Sequence, residues 1–184
     1  MTAALVLAAG GGRRFEGEGH KLLAPFRGRT VVAHAVAAAV GAGLDEVIVV
    51  VGAADVRAEL PDGVRVVENP GWADGQAGSL QVGIAAADAA GHDAVVVGLA
   101  DQPLVEAGAW SAVAASRSPI AVATYGGERR NPVRLAREVW PLLPTAGDEG
   151  ARVVMRLRPE LVEAVPCPGV PVDIDTQEDL DRWS

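Results

Sequence analysis

The side chains in this sequence best suited to phosphate chemistry stand where apolar runs end. The first run closes on Leu7-Ala8-Ala9-Gly10-Gly11-Gly12-Arg13-Arg14, and Lys21 follows. Glycine lets the backbone take positive φ and come close to a ligand. Successive N–H groups in such a loop make an anion nest. Arginine adds a fork of donors for phosphate oxygens, and lysine adds a compact positive charge. A triphosphate needs this combination. A tight turn with two solvated arginines is the plainer alternative, and the strand-end position and the basic residues together weigh against it. Two familiar phosphate motifs do not fit. Lys21 is followed by Leu22, so there is no P-loop, and Phe15 stands where a dinucleotide fingerprint needs a small residue.

Carboxylates end two other extended segments. Asp93 to Leu99 runs into Ala100-Asp101-Gln102-Pro103, where Pro103 turns the chain and leaves Asp101 at the strand's carboxyl edge. Near the end comes Val172-Asp173-Ile174-Asp175-Thr176, in which alternation puts Asp173 and Asp175 on one side. Mg²⁺ at nucleotide sites is held by one or two carboxylates together with phosphates and water. Asp101 and Asp175 are the expected ligands, provided the fold brings them together. For either Asp alone, a turn or helix cap is the simpler reading. The segment from Asn69 to Leu80 is polar and glycine-rich and then opens a helix, whose N–H groups and neighbouring amides could read a base or ribose. Its plainer reading is a loop with Ser79 as N-cap.

The elements that must position these residues alternate. Continuous apolar runs at Ala3–Ala9, Glu46–Val51 and Asp93–Leu99 read as strands buried on both faces, with weaker strands at Val64–Glu68 and Pro119–Thr124. Val32, Val36, Ala39 and Val40 mark a helix stopped by Gly41 and Gly43, and Leu80, Ile84 and Ala87 mark a second. A third helix spans Ala107–Ser116. A fourth starts near Gly147-Asp148, with Asp148 as N-cap, and ends at Pro159. Thr176 opens the last, with Leu180 and Trp183 on one face. This alternation predicts a three-layer, doubly wound α/β fold with a mostly parallel sheet, Rossmann-like, over residues 1–184 as one domain. In such folds ligands sit at the carboxyl ends of the strands.

The formal net charge of −8 over 184 residues argues against a duplex nucleic-acid partner, which needs cations along the phosphates. Cys167 is the only cysteine, so no intrachain disulfide or Cys-based zinc site is expected. With no signal-peptide pattern at the start and no apolar stretch approaching about 20 residues, the expectation is a cytoplasmic protein without a membrane partner.

Six segments in order resemble the MobA-like NTP transferases, and among them the molybdenum-cofactor cytidylyltransferases. They are Leu7-Ala8-Ala9-Gly10 with Arg14 and Lys21, Asn69 to Leu80, Ala100 to Pro103, Arg130-Asn131-Pro132, Gly147 to Arg152, and Asp173 to Leu180. The resemblance implies a nucleotidyltransferase fold of the glycosyltransferase-A type. It implies that Leu7, Ala8, Ala9 and Gly10 line the base and ribose, that Gly12, Arg14 and Lys21 hold the triphosphate, and that Asn69, Gly75 and Ser79 border the nucleoside. Lys21, Arg14 and Asp101 would be catalytic, and Asp101 and Asp175 would bind Mg²⁺. Ala8-Ala9-Gly10 and Asp101-Gln102-Pro103 look like the branch that uses CTP. The acceptor would then be the terminal phosphate of molybdopterin, and a molybdoenzyme or its chaperone a protein partner. Departures are the longer link Phe15 to His20 with its two acids, Ala100 in place of a glycine, and Gln177 in place of a proline.

Two further readings stay open: transfer to another phosphorylated acceptor, such as a sugar phosphate or phospholactate, and a maturation partner that binds nucleotide without turnover. Arg129, Arg130 and Asn131, beyond the expected core strands, read either as a grip on the acceptor phosphate or as a solvated turn. His20, His34 and His92 lack metal-ligand spacing; structural roles are expected for His34 and His92.

Overall fold

A computed structural model describes residues 1–17 and 19–184; Glu18, one of the two acids in the Phe15–His20 link, lies outside the described residues. The chain runs β1 (Thr2–Ala8), β2 (Pro25–Phe26), β3 (Arg29–Thr30), α1 (Val31–Gly41), β4 (Glu46–Val51), β5 (Arg65–Glu68), α2 (Gln76–Ala89), β6 (Ala94–Leu99), α3 (Ala107–Ala114), β7 (Ile120–Tyr125), β8 (Glu128–Ala136), α4 (Arg152–Leu157), β9 (Val162–Pro166) and α5 (Gln177–Trp183). Short 3-10 turns sit between them, one at Lys21–Leu23. Seven strands form one sheet in the order β5-β4-β1-β6-β8-β7-β9, and β2 and β3 pair as a small hairpin. The neighbours β5-β4, β4-β1, β1-β6 and β7-β9 are parallel, and β8 runs opposite to both its neighbours.

Central strands of a covered sheet must be apolar on both faces. In β1, Ala4, Val6 and Ala8 face one core with α1, α3 and α5, while Ala3, Leu5 and Leu7 face the other with α2 and α4. Helix α1 starts on the Thr30 hydroxyl, which accepts from the Ala33 N–H at 3.4 Å, and Gly43 at φ +67° follows its end. Two glycines set layer spacing. A Cβ on Gly83 of α2 would lie 2.3 Å from Leu5 Cδ1, and one on Gly98 of β6 would lie 2.4 Å from the Trp110 ring.

Some elements differ from expectation. Strand β8 occupies Glu128–Ala136, so Arg129, Arg130 and Asn131 belong to a sheet strand rather than to a turn outside it. Only Pro132, Val133 and Leu135 of its nine residues are buried, a pattern too polar to resemble the parallel core strands. β9, at the sheet edge, has exposed or half-buried residues throughout. Helix α4 begins at Arg152 with Ala151 in the N-cap position, so Asp148 does not cap it. Helix α2 begins after Gly75, and Ser79 lies within its first turn rather than capping it. Among the described residues no helix is long and apolar enough to cross a membrane.

Replacing Gly98 with Ala should push the added methyl into Trp110 and destabilise the protein by about 1–3 kcal/mol, the usual cost of overpacking a filled core. A urea titration reads this as a lower midpoint at unchanged slope; an unchanged midpoint would mean that Trp110 is not fixed against β6.

Candidate functional site: a glycine cleft closed by paired charges

The β1–β6 pairing sets the site. β1 ends in Ala8, β6 ends in Leu99, and the Ala100 N–H donates to Leu7 O at 3.1 Å, so the glycine loop and Asp101 leave the sheet side by side. Gly12 sits at φ +57°, a conformation that L side chains rarely adopt. Trp72 packs over Gly11, where a Cβ would meet its ring at 2.8 Å, while Gly10 has open space beside it. His20 ties the loop to the turn carrying Lys21. Its Nδ1 accepts from the Leu22 N–H at 3.3 Å, and its Nε2 lies 2.9 Å from the Gly10 carbonyl. With Nδ1 accepting, the proton belongs on Nε2 and is donated to Gly10 O. Burial, opposed by the Gly10 carbonyl and helped by the Lys21 charge, holds the His20 pKa below its ordinary 6.5.

Asp175 reaches Asp101 by a specific route. The Ile174 N–H donates to the Asp101 carbonyl at 2.8 Å, and the Ile174 side chain is fully buried. Burial of a side chain of that size stabilises by about 1.5–3 kcal/mol. Just beyond, the Thr176 hydroxyl accepts from the Asp179 N–H, while Asp179 Oδ2 accepts from the Thr176 and Asp175 N–H groups at 2.9 and 3.1 Å. This capping box fixes the entry to α5 and aims the Asp175 side chain.

Lys21 Nζ donates to Asp101 Oδ2 at 2.6 Å and to Asp175 Oδ1 at 2.7 Å, and Arg14 Nη2 lies 2.9 Å from Asp175 Oδ2. The lysine side chain is 10% exposed, against 76% for Arg14. Burial pulls the Lys21 pKa down, but the two carboxylates outweigh it, and the net shift is upward. The other Asp101 oxygen, Oδ1, is buried with no hydrogen-bond partner among the described residues. Asp173 lies beside this cluster, where burial and the Asp101 charge hold its carboxyl above the usual carboxylate range. Its Oδ1 accepts from Gln102 Nε2 at 2.8 Å, and it does not border the cleft.

The cleft above these charges holds about 410 Å³. Leu7, Ala8, Ala9, Gly10, Gly12, Arg14, Lys21, Gly75, Ser79, Asp101 and Asp175 all border it. Asn69 does not. Its Nδ2 donates to Ser79 Oγ at 3.0 Å and its Oδ1 accepts from the Gly71 N–H, so this buried amide braces the loop from behind. Trp72 and Gln76, inside the Asn69–Leu80 segment but given no role of their own, also wall the cleft, as does Asp148, which the sequence placed only at a helix cap. The turn Gly147-Asp148 caps α2: the Ala77 N–H donates to Gly147 O at 2.9 Å and the Gln76 N–H to Asp148 Oδ1 at 3.4 Å. Two N–H groups at the start of α2 are therefore already engaged, which corrects the picture of a bare helix end. Gly75 is confined to glycine, because a Cβ there would lie 2.6 Å from Gly147 O at φ +112°.

A second cavity of about 410 Å³ shares Leu7 and Gln76 with the first. Its walls combine Leu80, Val97, Val122, Val133 and Met155 with Arg129, Arg130, Arg152 and Arg156. Arg130 pairs with Glu128 at 3.1 Å, and Arg156 grips both oxygens of Glu149 at 2.9 and 3.1 Å.

His34 bonds the Phe26 carbonyl and buried His92 bonds Glu46 Oε2, as structural histidines do. No group of three or more His, Cys, Asp or Glu side chains among the described residues is arranged to hold a metal. A cation here would take two carboxylates and complete its shell with substrate oxygens and water, as Mg²⁺ does at nucleotide sites. The unpartnered Asp101 oxygen fits that demand.

Comparison with known proteins finds the MobA-like NTP transferase domain over residues 4–165. A nicotine blue oxidoreductase from Paenarthrobacter nicotinovorans is 33% identical, covering 97% of this chain and 94% of its own. A nucleotidyl transferase from Methanothermobacter superposes with a TM-score of 0.84 at 28% identity, over 99% of this chain and 95% of that one. Rv0371C from Mycobacterium tuberculosis, solved as a complex with manganese, gives 0.75 at 29% identity over 99% and 97%.

His20 supplies a pH test. Its folded pKa lies below the unfolded value near 6.5, so its neutral form contributes stability that is present above pH 6.5 and is lost as pH falls from there through the folded pKa. Urea midpoints taken from roughly pH 7.5 down to 5 should fall more steeply in the native protein than in His20→Gln. Parallel curves would separate His20 from the acid sensitivity.

Proposed function

The chain belongs to the MobA-like NTP transferase family and is a nucleotidyltransferase, and we propose that, acting as one domain over residues 1–184, it transfers CMP from CTP to the terminal phosphate of molybdopterin with Mg²⁺. The observation that carries this reading is the meeting of Lys21, Asp101 and Asp175 on the floor of a glycine cleft, with an arginine-rimmed cavity next door. CTP is favoured by Ala8-Ala9-Gly10 and Asp101-Gln102-Pro103, which look like the cytidylyl branch. The second cavity supports the acceptor side. Its apolar walls suit a flat ring system better than a bare sugar, and Arg129, Arg130 and Arg152 suit an anionic tail. A cytoplasmic setting and a molybdoenzyme or chaperone partner accompany this reading.

In the proposed reaction a phosphate oxygen of the acceptor attacks the α-phosphorus of the triphosphate. The bond from that phosphorus to the bridging oxygen breaks, and pyrophosphate leaves. The attacking oxygen is already anionic near neutral pH, so no strong general base is required, and catalysis is alignment and charge neutralisation. Leu7, Ala8, Ala9 and Gly10 border the nucleoside, with Gly75 and Ser79 opposite. Lys21, Arg14 and the N–H groups around Gly12 take up charge on the departing phosphates. Asp101 and Asp175 would hold the metal, which when bound supplies Lewis-acid neutralisation of phosphate oxygens. Manganese in the Mycobacterium tuberculosis relative supports a divalent ion of this oxygen-seeking kind.

One comparison favours a second reading: the nicotine blue oxidoreductase relative spans almost the whole chain, so oxidoreductase chemistry is the alternative use of the same two cavities. One assay separates the readings. Pyrophosphate release is followed with Mg²⁺ and each of CTP, GTP, ATP and UTP, with and without molybdopterin, and a parallel arm follows the colour of nicotine blue with a chemical reductant. Release with CTP and molybdopterin is the expected result. Release only with another phosphorylated acceptor would move the substrate assignment. Binding without release would make the protein a maturation partner, and a protein-dependent change of that colour alone would favour the redox reading.

Within that assay Asp101→Ala should lower turnover by ~10²-fold or more, the scale of losing one preorganised electrostatic group, while thermal unfolding stays cooperative. Near-normal turnover in this variant would remove Asp101 from the metal site.

A further inference from the structure

We propose that Lys21 is a resident counter-ion that holds the divalent-cation position shut in the free protein and yields it only when a triphosphate draws the ammonium away. The inference rests on the transferase reading, and it adds a property to that site: metal and nucleotide favour each other's entry, and metal alone binds weakly.

Three features carry it. First, Lys21 Nζ donates to one oxygen of Asp101 and one of Asp175 at once, 2.6 and 2.7 Å away. That is the place a metal shared by these two carboxylates would occupy. An ammonium and a divalent ion cannot both sit there, because like charges at such separation repel strongly wherever water is scarce. Screening by water is reduced here, since the side chains of Lys21, Asp101 and Asp175 are only 10%, 19% and 24% exposed. Second, the lysine has somewhere to go. It borders the glycine cleft, so its head can reach a phosphate in that space without unfolding the turn that carries it. Third, the lock is incomplete. Asp101 Oδ1 stays buried with no hydrogen-bond partner among the described residues. A carboxylate oxygen so placed costs desolvation that its neighbours do not return, and an arriving cation would relieve it. Arg14, on Asp175 Oδ2 at 2.9 Å, adds a second latch that solvent weakens.

The arrangement keeps two clustered carboxylates neutralised in the absence of substrate, when an uncompensated pair would repel and loosen the Asp101–Ile174 junction. It also links the two ligands. A triphosphate takes the ammonium, the freed carboxylates take the cation, and each step favours the other.

The test is binding of Mn²⁺ without nucleotide, followed by the electron paramagnetic resonance signal of the free ion, in the native protein and in Lys21→Met and Lys21→Gln. Both variants remove the charge, one keeping the apolar stem and the other a polar head. The expected result is weak binding to the native protein and affinity tighter by about tenfold or more in at least one variant, as removal of a close like charge requires. The thermal midpoint of that variant should also rise with added Mn²⁺. Adding Asp101→Asn to the variant should abolish the gain. Equal or weaker Mn²⁺ binding in both variants would overturn the proposal, as would a gain that survives Asp101→Asn. These results are separate from the transferase reading, whose failure appears as absent pyrophosphate release in the native protein.

Discussion

Like charges gathered at the end of a buried sheet must be neutralised, and much of this molecule is arranged to satisfy that demand. Asp101 stands in the turn just beyond β6 and Asp175 arrives from a segment far along the chain; both meet on one lysine. Their encounter is fixed by the backbone bond from Ile174 to Asp101 and by the buried Ile174 side chain, neither of which carries charge. Packing energy thus holds the acids at a spacing that Coulomb repulsion alone would not allow, and the ammonium between them lowers the cost.

The cationic side of the cleft is built by different means. The glycine loop owes its shape to what presses on it: Trp72 from above, and His20 from beside, bonded to Gly10. Arg14 is largely exposed where Lys21 is nearly enclosed. The same formal charge therefore serves two purposes. The enclosed lysine interacts strongly and with few partners, whereas the arginine is screened and free to follow a ligand.

Much of this was legible in the sequence, and the parts that were not have physical causes. Ala3–Ala9, Glu46–Val51 and Asp93–Leu99 announce strands because burial on both faces leaves no polar position in them after the opening Glu46 and Asp93. The loop from Gly10 to Arg14 and the two aspartates stand out because their residue types are costly unless used. β8 was hidden because it is antiparallel and half of it is solvated, so Arg129, Arg130 and Asn131 read as lying beyond the core strands, as a phosphate grip or a solvated turn. Asn69 was expected to border the nucleoside but lies behind the loop, because an amide that braces a loop has the same composition as one that reads a base; its bond to Ser79 shows the bracing. Asp148 was assigned to the wrong helix, since capping needs nearness to an N-terminus and α2, distant in sequence, was nearer than α4. Long-range neighbours are what a linear reading of one chain cannot supply.

The turn at Gly147 and Asp148 has a wider effect than ending a helix. Asp148 walls the glycine cleft, while Glu149, Ala151 and Arg152, immediately after it, wall the arginine-rimmed cavity. One short stretch of chain is thus a party wall between two chambers. A guest in either that moves this stretch alters the welcome given to a guest in the other, and thermodynamic reciprocity makes the favour or the penalty equal in both directions.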